Sequence, residues 1–362
     1  MDDELKEFKN LIRMNINNLR LPAFFCCLLF VFSCNTGCNT GPKPQEQTNV
    51  EKKNVTVNPP AFNSDSANYY TKAQLDFGPR NMNSKGHDAC GEWLIAKMKK
   101  VADTVYVQKF DATGFDGLTL KSTNIIASFN PQATTRILLC SHWDSRPWAD
   151  QDTKDRDKPI LSASDGASGI GTLMEIANAI RTKQLKIGVD LFFIDTEDYG
   201  YSQSLQGIVN KTGDPENSFC LGTQYWVTHP HINGYKADFG VLLDMAGARN
   251  AVFTREMGSS FNAGWVQDKV WQNGQQLGYT NYFVNQNTPA ITDDHAYINQ
   301  IAKIPTIDII QYDASSPSGT FAAYWHTHSD NMDVIDKGTL EAVGKTLLYT
   351  VYQYDAEQKT AQ

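Results

Sequence analysis

The chain has 362 residues, of which 41% are hydrophobic and 11% aromatic, and its formal net charge is -8 at pH 7. A chain of this length can bury a large core, and without a non-globular N-terminus it fits one large domain better than two catalytic domains. The negative charge and the lack of a Lys/Arg cluster argue against a nucleic-acid partner, because nucleic acids are bound largely through clustered basic side chains.

The N-terminal segment contains an apolar run, Leu21 to Ser33. This run is shorter than the ~20 residues that span a bilayer, and it suits the apolar core of a signal peptide. It ends at Val31-Phe32-Ser33-Cys34, which resembles the lipobox of bacterial lipoproteins. We therefore predict a signal peptide over residues 1–34 and a lipid anchor on Cys34. The alternatives are an ordinary cleaved signal or a buried helix.

The resemblance to a lipobox predicts a protein of the bacterial periplasm, held to the inner or outer membrane only through Cys34. The first thirteen residues carry four acids against three basic residues, which is a poor positive start for a signal peptide, so translation begins at either Met1 or Met14. Residues 35–62 are polar and are predicted to form a flexible tether. Residues 63–362 are predicted to form a single catalytic α/β domain.

Three cysteines lie in this body: Cys90, Cys140 and Cys220. At most one disulfide can form among three cysteines. Cys140 lies inside an apolar strand and is interpreted as a small core residue. Pairing of Cys90 with Cys220 stays open.

The predicted elements begin with a helical pattern that runs from Tyr69 to Met98. Strands are predicted at Thr104 to Phe110, Asn124 to Phe129, Ile137 to Cys140, Val189 to Ile194, Phe239 to Leu243 and Thr306 to Ile310. Further helices are predicted at Gly169 to Ile180 and near Gly222 to Val227, Ala263 to Leu277 and Thr339 to Tyr354. The strand, helix, strand order from 137 to 194 indicates a parallel sheet with helices on its faces.

Acidic and histidine residues recur where these strands end. The segments are Ser141-His142-Trp143-Asp144, Ser164-Asp165-Gly166, Asp195-Thr196-Glu197-Asp198, Asp244, Asp293-Asp294-His295 and His326. Ligands of open α/β sheets collect outside the carboxyl ends of the strands, and carboxylates with imidazoles suit zinc. The pattern therefore predicts a metal site at one edge of the sheet.

Local spacing suggests roles for some of these side chains. His142 and Asp144 are two residues apart on a strand and point the same way, so Asp144 could fix the imidazole of His142 beside a metal. Asp165 either binds metal or only caps the helix that follows. Glu197 and Asp198 are adjacent and diverge, so one can bind metal while the other moves protons.

The order HxD, SDG, paired acids, LD-M, DDH and WHT resembles the zinc aminopeptidase and glutaminyl cyclase superfamily from about Tyr69 to Tyr354. The resemblance implies an α/β fold with a central mixed, mostly parallel twisted sheet flanked by helices on both faces. It also implies a zinc site. Glutaminyl cyclases hold one zinc, by resemblance on Asp165, Asp198 and His326.

Aminopeptidases of the superfamily hold two metals, which by resemblance would use five side chains, with Glu197 as base. The five ligands would be His142, Asp165, Asp198, Asp244 and His326. All five are present, so the ligands alone do not separate the branches. Three features resemble the cyclases: the acid at Asp293, the indole of Trp325, and the residue sequence from Tyr324 through Asn331.

The cyclase resemblance implies that N-terminal glutamine of exported peptides and proteins becomes pyroglutamate with release of ammonia, assisted by one Zn²⁺ per chain. Glu197 would be the base and Trp325 a wall of the substrate pocket. Asp244 and Asp293 would share a proton, since adjacent like charges disfavour double ionisation. His142 and Asp144 would either bind a second metal or orient the ligands of the first one.

Two other interpretations stay open. A di-zinc aminopeptidase of the same superfamily shares nearly every ligand. A lipid-anchored binding protein without activity belongs to another class, and Glu197 beside a complete ligand set argues against it. The oligomeric state stays open.

Overall fold

The computed structural model describes residues 55–215 and 217–360, with the backbone alone at 359 and 360. These residues belong to one compact unit. The predicted signal peptide, Cys34 and most of the predicted tether lie outside the described residues. Within the described part, no helix is both long and apolar enough to cross a membrane.

Eight strands and seven helices build the described body. The strands are β1 (Thr104–Thr113), β2 (Thr119–Phe129), β3 (Arg136–His142), β4 (Gly188–Ile194), β5 (Phe239–Asp244), β6 (Phe253–Glu256), β7 (Phe283–Thr288) and β8 (Thr306–Ile310). The helices are α1 (Ser64–Leu75), α2 (Lys85–Met98), α3 (Ser168–Thr182), α4 (Leu221–Thr228), α5 (Met257–Gln276), α6 (Asp294–Tyr297) and α7 (Lys337–Thr360).

The central sheet has six strands in the order β1-β2-β4-β3-β5-β8. The pairs β1–β2 and β2–β4 are antiparallel, and β4, β3, β5 and β8 run parallel. The sheet is therefore mixed and mostly parallel, as predicted. A separate parallel pair, β6–β7, was not predicted from the sequence.

Successive residues of the central strands face opposite sides of the sheet. Leu139 and Leu191 belong to the larger apolar cluster, which includes residues of α3, α5 and α7. Leu138 and Phe192 belong to a smaller cluster with Trp226 of α4. Because side chains alternate along a strand, these two clusters lie on opposite faces. Helices on both faces are thereby confirmed.

The N-terminal helical pattern is broken where the sequence predicted one continuous run from Tyr69 to Met98. The structure has two helices, α1 and α2, separated by Gly78-Pro79. Gly78 has φ of +82°, a left-handed conformation that ends a helix, and proline cannot continue one. Ser84 then starts α2, because its side chain accepts the N–H of His87 at 3.1 Å.

Packing against the domain begins slightly before the predicted boundary at residue 63. Phe62 is buried in the larger apolar cluster, and Val57 packs against that cluster.

The three cysteines of the body are free and buried, so Cys90 and Cys220 form no disulfide.

Candidate metal centre and pocket

Three parallel strands deliver side chains to one edge of the sheet. His142 is the last residue of β3, Asp244 is the last residue of β5, and Glu197 and Asp198 follow β4. Since β3, β4 and β5 are parallel neighbours, their carboxyl ends meet at this edge. Asp165 reaches the same edge from a short π-helical turn before α3, Ala163–Ala167, and His326 reaches it from the loop after β8.

Several of these strand-end turns use a left-handed backbone. Thr196, Met245 and His326 have φ between +48° and +57°. Gly166 has φ of +84°, and a Cβ there would lie 2.5 Å from the carbonyl oxygen of His142. A glycine therefore lets the Asp165 turn approach the end of β3 closely.

The structure brings together the three predicted zinc ligands. Ligand atoms of Asp165, Asp198 and His326 all lie within 4.8 Å of one another. The Nε2 atom of His326 is 3.3 Å from Oδ1 of Asp198 and 3.6 Å from Oδ2 of Asp165. All three side chains are buried.

A second group of metal-ligating side chains adjoins the first. His142, Asp165 and Asp244 also have ligand atoms within 4.8 Å of one another. The Nε2 atom of His142 is 2.9 Å from Oδ1 of Asp165 and 3.3 Å from Oδ1 of Asp244. Asp165 belongs to both groups, which is the arrangement that a bridging ligand requires.

The first group fits a zinc ion. Oδ2 of Asp198 is buried and has no hydrogen-bond partner. Burial raises the pKa of Asp198, although the nearby His326 opposes this shift. Two carboxylates and an imidazole are a usual zinc donor set, and a cation between them would give the buried oxygen a partner.

Asp144 lies beside His142, but its hydrogen bonds go to the turn that follows β4. Its carboxylate accepts the backbone N–H groups of Glu197 and Asp198, both at 3.1 Å. Its Oδ1 atom is also 3.4 Å from Nδ1 of His142. Asp144 therefore holds the turn that carries the paired acids and lies against His142.

Asp150 and Arg146 support the site and were missed in the sequence. Oδ1 of Asp150 lies 3.1 Å from Nδ1 of His326. Arg146 donates to Oδ1 of Asp150 at 3.0 Å and to the carbonyl oxygen of Asp198 at 2.8 Å. Although burial opposes it, Arg146 and His326 hold the pKa of Asp150 below its ordinary value. A carboxylate behind a ligating imidazole fixes its orientation.

Asp330 supports Asp165 in a similar way. Its carboxylate accepts the backbone N–H groups of Ser164 at 2.7 Å and Asp165 at 3.1 Å. Burial, with the charge of Asp165, raises the pKa of Asp330 to about 7. Asp330 lies in the late motif that begins at Tyr324, so the motif itself was the signal for this residue.

A pocket of about 410 Å³ opens beside the metal-ligating group. Glu197, Asp244 and Asp293 line it together with Asp165, Asp198 and His326. Its apolar walls include Phe219, Ile291, Ile310, Phe321 and Trp325. The ring of Trp325 stacks on His326 with centroids 3.8 Å apart and lies 4.7 Å from the ring of Phe321.

The pocket carboxyls hold protons more tightly than free carboxyls do. Burial raises the pKa of Glu197 well above its ordinary value, and Asp293 and Asp198 add to this shift while His142 opposes it. Burial and the charge of Asp165 raise the pKa of Asp244 to about 7. Burial also raises the pKa of Asp293. The direction of these shifts favours groups that both take up and release a proton.

No hydrogen bond between Asp244 and Asp293 occurs among the contacts of the described residues. Asp244 lies against His142, and Asp293 groups with His295 and Asp308 within 4.8 Å. The shared proton between Asp244 and Asp293 therefore stays a prediction.

Comparison with known proteins adds a family and several relatives. The model of peptidase family M28 matches residues 124–351. The glutaminyl-peptide cyclotransferase of Gloydius blomhoffii is 27% identical over 263 residues, which cover 64% of this chain and 65% of the relative. The chain thus matches slightly less than two thirds of that relative's length.

Solved structures of bacterial proteins are more similar. The glutaminyl cyclase of Bacteroides thetaiotaomicron, bound to N-acetylhistamine, is 46% identical with a TM-score of 0.77, over 82% of this chain and 99% of that chain. A Zn-dependent exopeptidase from Parabacteroides distasonis is 44% identical with a TM-score of 0.78, over the same 82% and 99%.

Proposed function

We propose that this chain, which belongs to peptidase family M28, is a zinc-dependent glutaminyl-peptide cyclotransferase that converts N-terminal glutamine to pyroglutamate. The predicted family resemblance is thereby confirmed at the level of the family. One observation carries the proposal: the two residues that set the cyclases apart, Asp293 and Trp325, line the same pocket as Glu197 and the three predicted zinc ligands.

The proposed reaction consumes no water. The α-amine nitrogen of the substrate attacks the carbon of its own γ-carboxamide, the new C–N bond closes the ring, and the carboxamide nitrogen leaves as ammonia. Asp165, Asp198 and His326 would hold the zinc ion, which would supply a Lewis acid for the γ-carbonyl oxygen. The protein holds the amine and the carboxamide together in one pocket, which lowers the entropic part of the barrier.

Glu197 moves the protons in this scheme. Its carboxylate takes a proton from the α-amine as the ring closes and returns a proton to the leaving nitrogen. A base that also acts as an acid works best when its pKa lies near the working pH. The burial that raises the pKa of Glu197 shifts this carboxyl in the required direction.

The pocket walls and the neighbouring acids favour cyclisation over hydrolysis. Trp325, Phe321 and Phe219 form apolar surface beside Glu197, which limits water at the carbonyl carbon. Asp244 and Asp293 are proposed to share a proton and to bind the substrate's α-amine. One zinc per chain is proposed, because His142 then keeps its hydrogen bonds with Asp165 and Asp244.

A di-zinc aminopeptidase is the second candidate. It is favoured by the group His142, Asp165 and Asp244, whose geometry would suit a second metal. The resemblance to a protein named as a Zn-dependent exopeptidase points the same way.

Product analysis separates the two candidates. The purified protein is incubated with a Gln-initiated peptide, and mass spectrometry with an ammonia assay identifies the product. We expect a pyroglutamyl peptide and one ammonia per peptide. The matched control is the same peptide with an acetylated α-amine, which lacks the nucleophile and should not react. Removal of the N-terminal residue, or cleavage of an amino acid anilide without cyclisation, would contradict the proposal.

We also propose that the enzyme is a lipid-anchored protein of the bacterial periplasm and acts on exported peptides. The support is the apolar run before Cys34 and its resemblance to a lipobox. Metabolic labelling with a fatty acid should mark the wild-type protein and not the Cys34→Ala variant. Equal labelling of both would contradict the anchor.

A further inference from the structure

The start of helix α4 is joined to the turn that carries Glu197. The N–H of Cys220 donates to the carbonyl oxygen of Glu197, and the N–H of Leu221 donates to that of Thr196, both at 2.9 Å. A Cβ at Gly222 would collide with the carbonyl oxygen of Asp195. Two backbone hydrogen bonds and this close approach fix Cys220 beside Glu197.

The thiol of Cys220 points at the predicted base. Its Sγ atom is 3.3 Å from Oε1 of Glu197 and 4.0 Å from Oδ1 of Asp293. Cys220 is fully buried, and burial raises the pKa of its thiol well above the ordinary value. In the ionised form in which Glu197 acts as a base, its carboxylate only accepts, so the thiol of Cys220 is the donor of this contact.

The thiol contact is distinctive because Glu197 has few other partners. Among the described residues, no other hydrogen bond reaches the side-chain oxygens of Glu197, whose backbone N–H is held by Asp144. Without the thiol, that carboxylate can rotate within the pocket. A thiol is also a weak donor, so it can orient a carboxylate without strongly stabilising the charged form.

We propose that Cys220 is a positioning residue, whose thiol donates to Glu197 and holds the carboxylate towards the substrate's amine. The inference rests on the proposed function, because it assigns Glu197 the proton-transfer role. Cys220 itself does not line the pocket. Its effect should therefore appear in kcat more than in KM.

Three variants test the contact. Cys220 has a left-handed backbone with φ of +56°, which a β-branched side chain would strain, so Cys220→Ala removes the donor and Cys220→Ser keeps one. Cys140→Ala is the matched control, because Cys140 is equally buried but its thiol lies 3.6 Å from the carbonyl oxygen of Val241. Zinc content and melting temperature are measured for each, and Cys220→Gly, which the left-handed backbone also accepts, replaces Cys220→Ala if the latter does not fold.

We expect Cys220→Ala to lower kcat by about 3- to 10-fold with little change in KM, which corresponds to the loss of one weak hydrogen bond. Cys220→Ser should recover most of that loss, and Cys140→Ala should keep the wild-type kcat. Wild-type kcat in Cys220→Ala, or an equal loss in Cys220→Ser and Cys220→Ala, would overturn the proposal. So would a crystal structure of Cys220→Ala in which the Glu197 carboxylate keeps its orientation.

A failure of this inference can be told apart from a failure of the proposed function. Wild-type turnover of the Gln-initiated peptide decides whether the enzyme is a cyclase. If the wild type cleaves an anilide instead, the same three variants are compared on that substrate, because Glu197 would be the base there as well.

Discussion

Both ends of strand β3 carry buried charged side chains, but the two ends differ in how these charges are paired. At its first residue, Arg136 forms a two-pronged ion pair with Asp190 of β4, at 2.8 and 2.9 Å. Tyr235 donates to the same carboxylate at 2.7 Å. Arg136 also donates to Ser128 and to the carbonyl oxygen of Ala133. This end balances its charge with fixed protein partners.

The last residue of β3, His142, lies in a group of buried polar side chains whose hydrogen-bonding atoms the protein does not fully pair. Buried polar atoms without hydrogen-bond partners include Nδ1 of His142, Oδ2 of Asp198 and Oδ2 of Asp293. The carboxylates of Asp198 and Asp150 raise the pKa of His326 to about 9, even though burial acts in the opposite direction. The surplus of buried carboxyl groups indicates a place for a cation and for mobile protons.

Burial of charged side chains alone does not mark a functional site. Both ends of β3 are buried and charged, but among the described residues only the carboxyl end has unpartnered carboxylate oxygens that line a pocket. The amino end should therefore govern stability, and the carboxyl end should govern metal binding and turnover.

The largest expected effect is on turnover at the carboxyl end. Glu197→Gln removes the group that transfers protons, so kcat should fall by about 10²- to 10⁴-fold. Zinc content should not change, because Glu197 is not one of the three predicted ligands. Ammonia release and metal analysis measure both, and the exposed Glu92→Gln is the control. Retained turnover in Glu197→Gln would reject its role.

The next effect is on stability at the amino end. Asp190→Ala leaves the buried Arg136 without its partner, which should lower the free energy of unfolding by about 3–5 kcal/mol. The folded fraction should keep its zinc and its kcat. Urea denaturation measures the loss. Asp111→Ala, which removes an exposed pair with Lys121, is the control and should have little effect. A lower kcat with unchanged stability in Asp190→Ala would reverse the comparison.

Zinc removal should change stability and activity through the ligands at the carboxyl end and not through the ion pair at the amino end. A metal that binds the folded state alone stabilises it by about 2.7 kcal/mol when its concentration is 100 times Kd. Chelation should lower the melting temperature and abolish activity, and added zinc should restore both. Asp198→Ala should not respond to zinc, whereas Asp190→Ala should respond as the wild type does. A zinc response in Asp198→Ala equal to that of the wild type would argue against the ligand set.

The smallest effect concerns pH at the amino end, where His231 interacts with the charges of Asp190 and Arg136. Burial lowers the pKa of His231 to about 4, while an unfolded histidine titrates near about 6.5. Between these values the unfolded state binds more protons, so the contribution of His231 is fully present above about 6.5 and is lost as pH falls towards 4. The free energy of unfolding of His231→Gln should depend less on pH over this range. The exposed His229→Gln should follow the wild type, and an unchanged slope in His231→Gln would contradict the assignment.

The sequence predicted the parts of the site that follow strands. Asp165, Asp198 and His326 meet as expected, because parallel strands end at one edge and the motif order is typical of the family. The mixed sheet was predicted for the same reason. The break at Gly78-Pro79 could have been predicted from the backbone preferences of glycine and proline. The spacing of apolar residues alone predicted one continuous helix across it.

Contacts between distant segments were not predictable. Asp150 reaches His326, and Cys220 reaches Glu197, only because the fold brings their loops together. Neither residue lies in a motif or in a periodic pattern. The β6–β7 pair was missed because its strands are short and lie outside the central sheet.

We propose that the carboxyl end of the sheet holds one zinc, on Asp165, Asp198 and His326. Anomalous diffraction at the zinc absorption edge, from crystals of the zinc-loaded wild-type protein, locates every zinc in the site directly. We expect a single peak between these three side chains, with His142 hydrogen-bonded to Asp165 and Asp244. A second peak between His142, Asp165 and Asp244 would contradict the single-zinc site and would favour the di-zinc aminopeptidase.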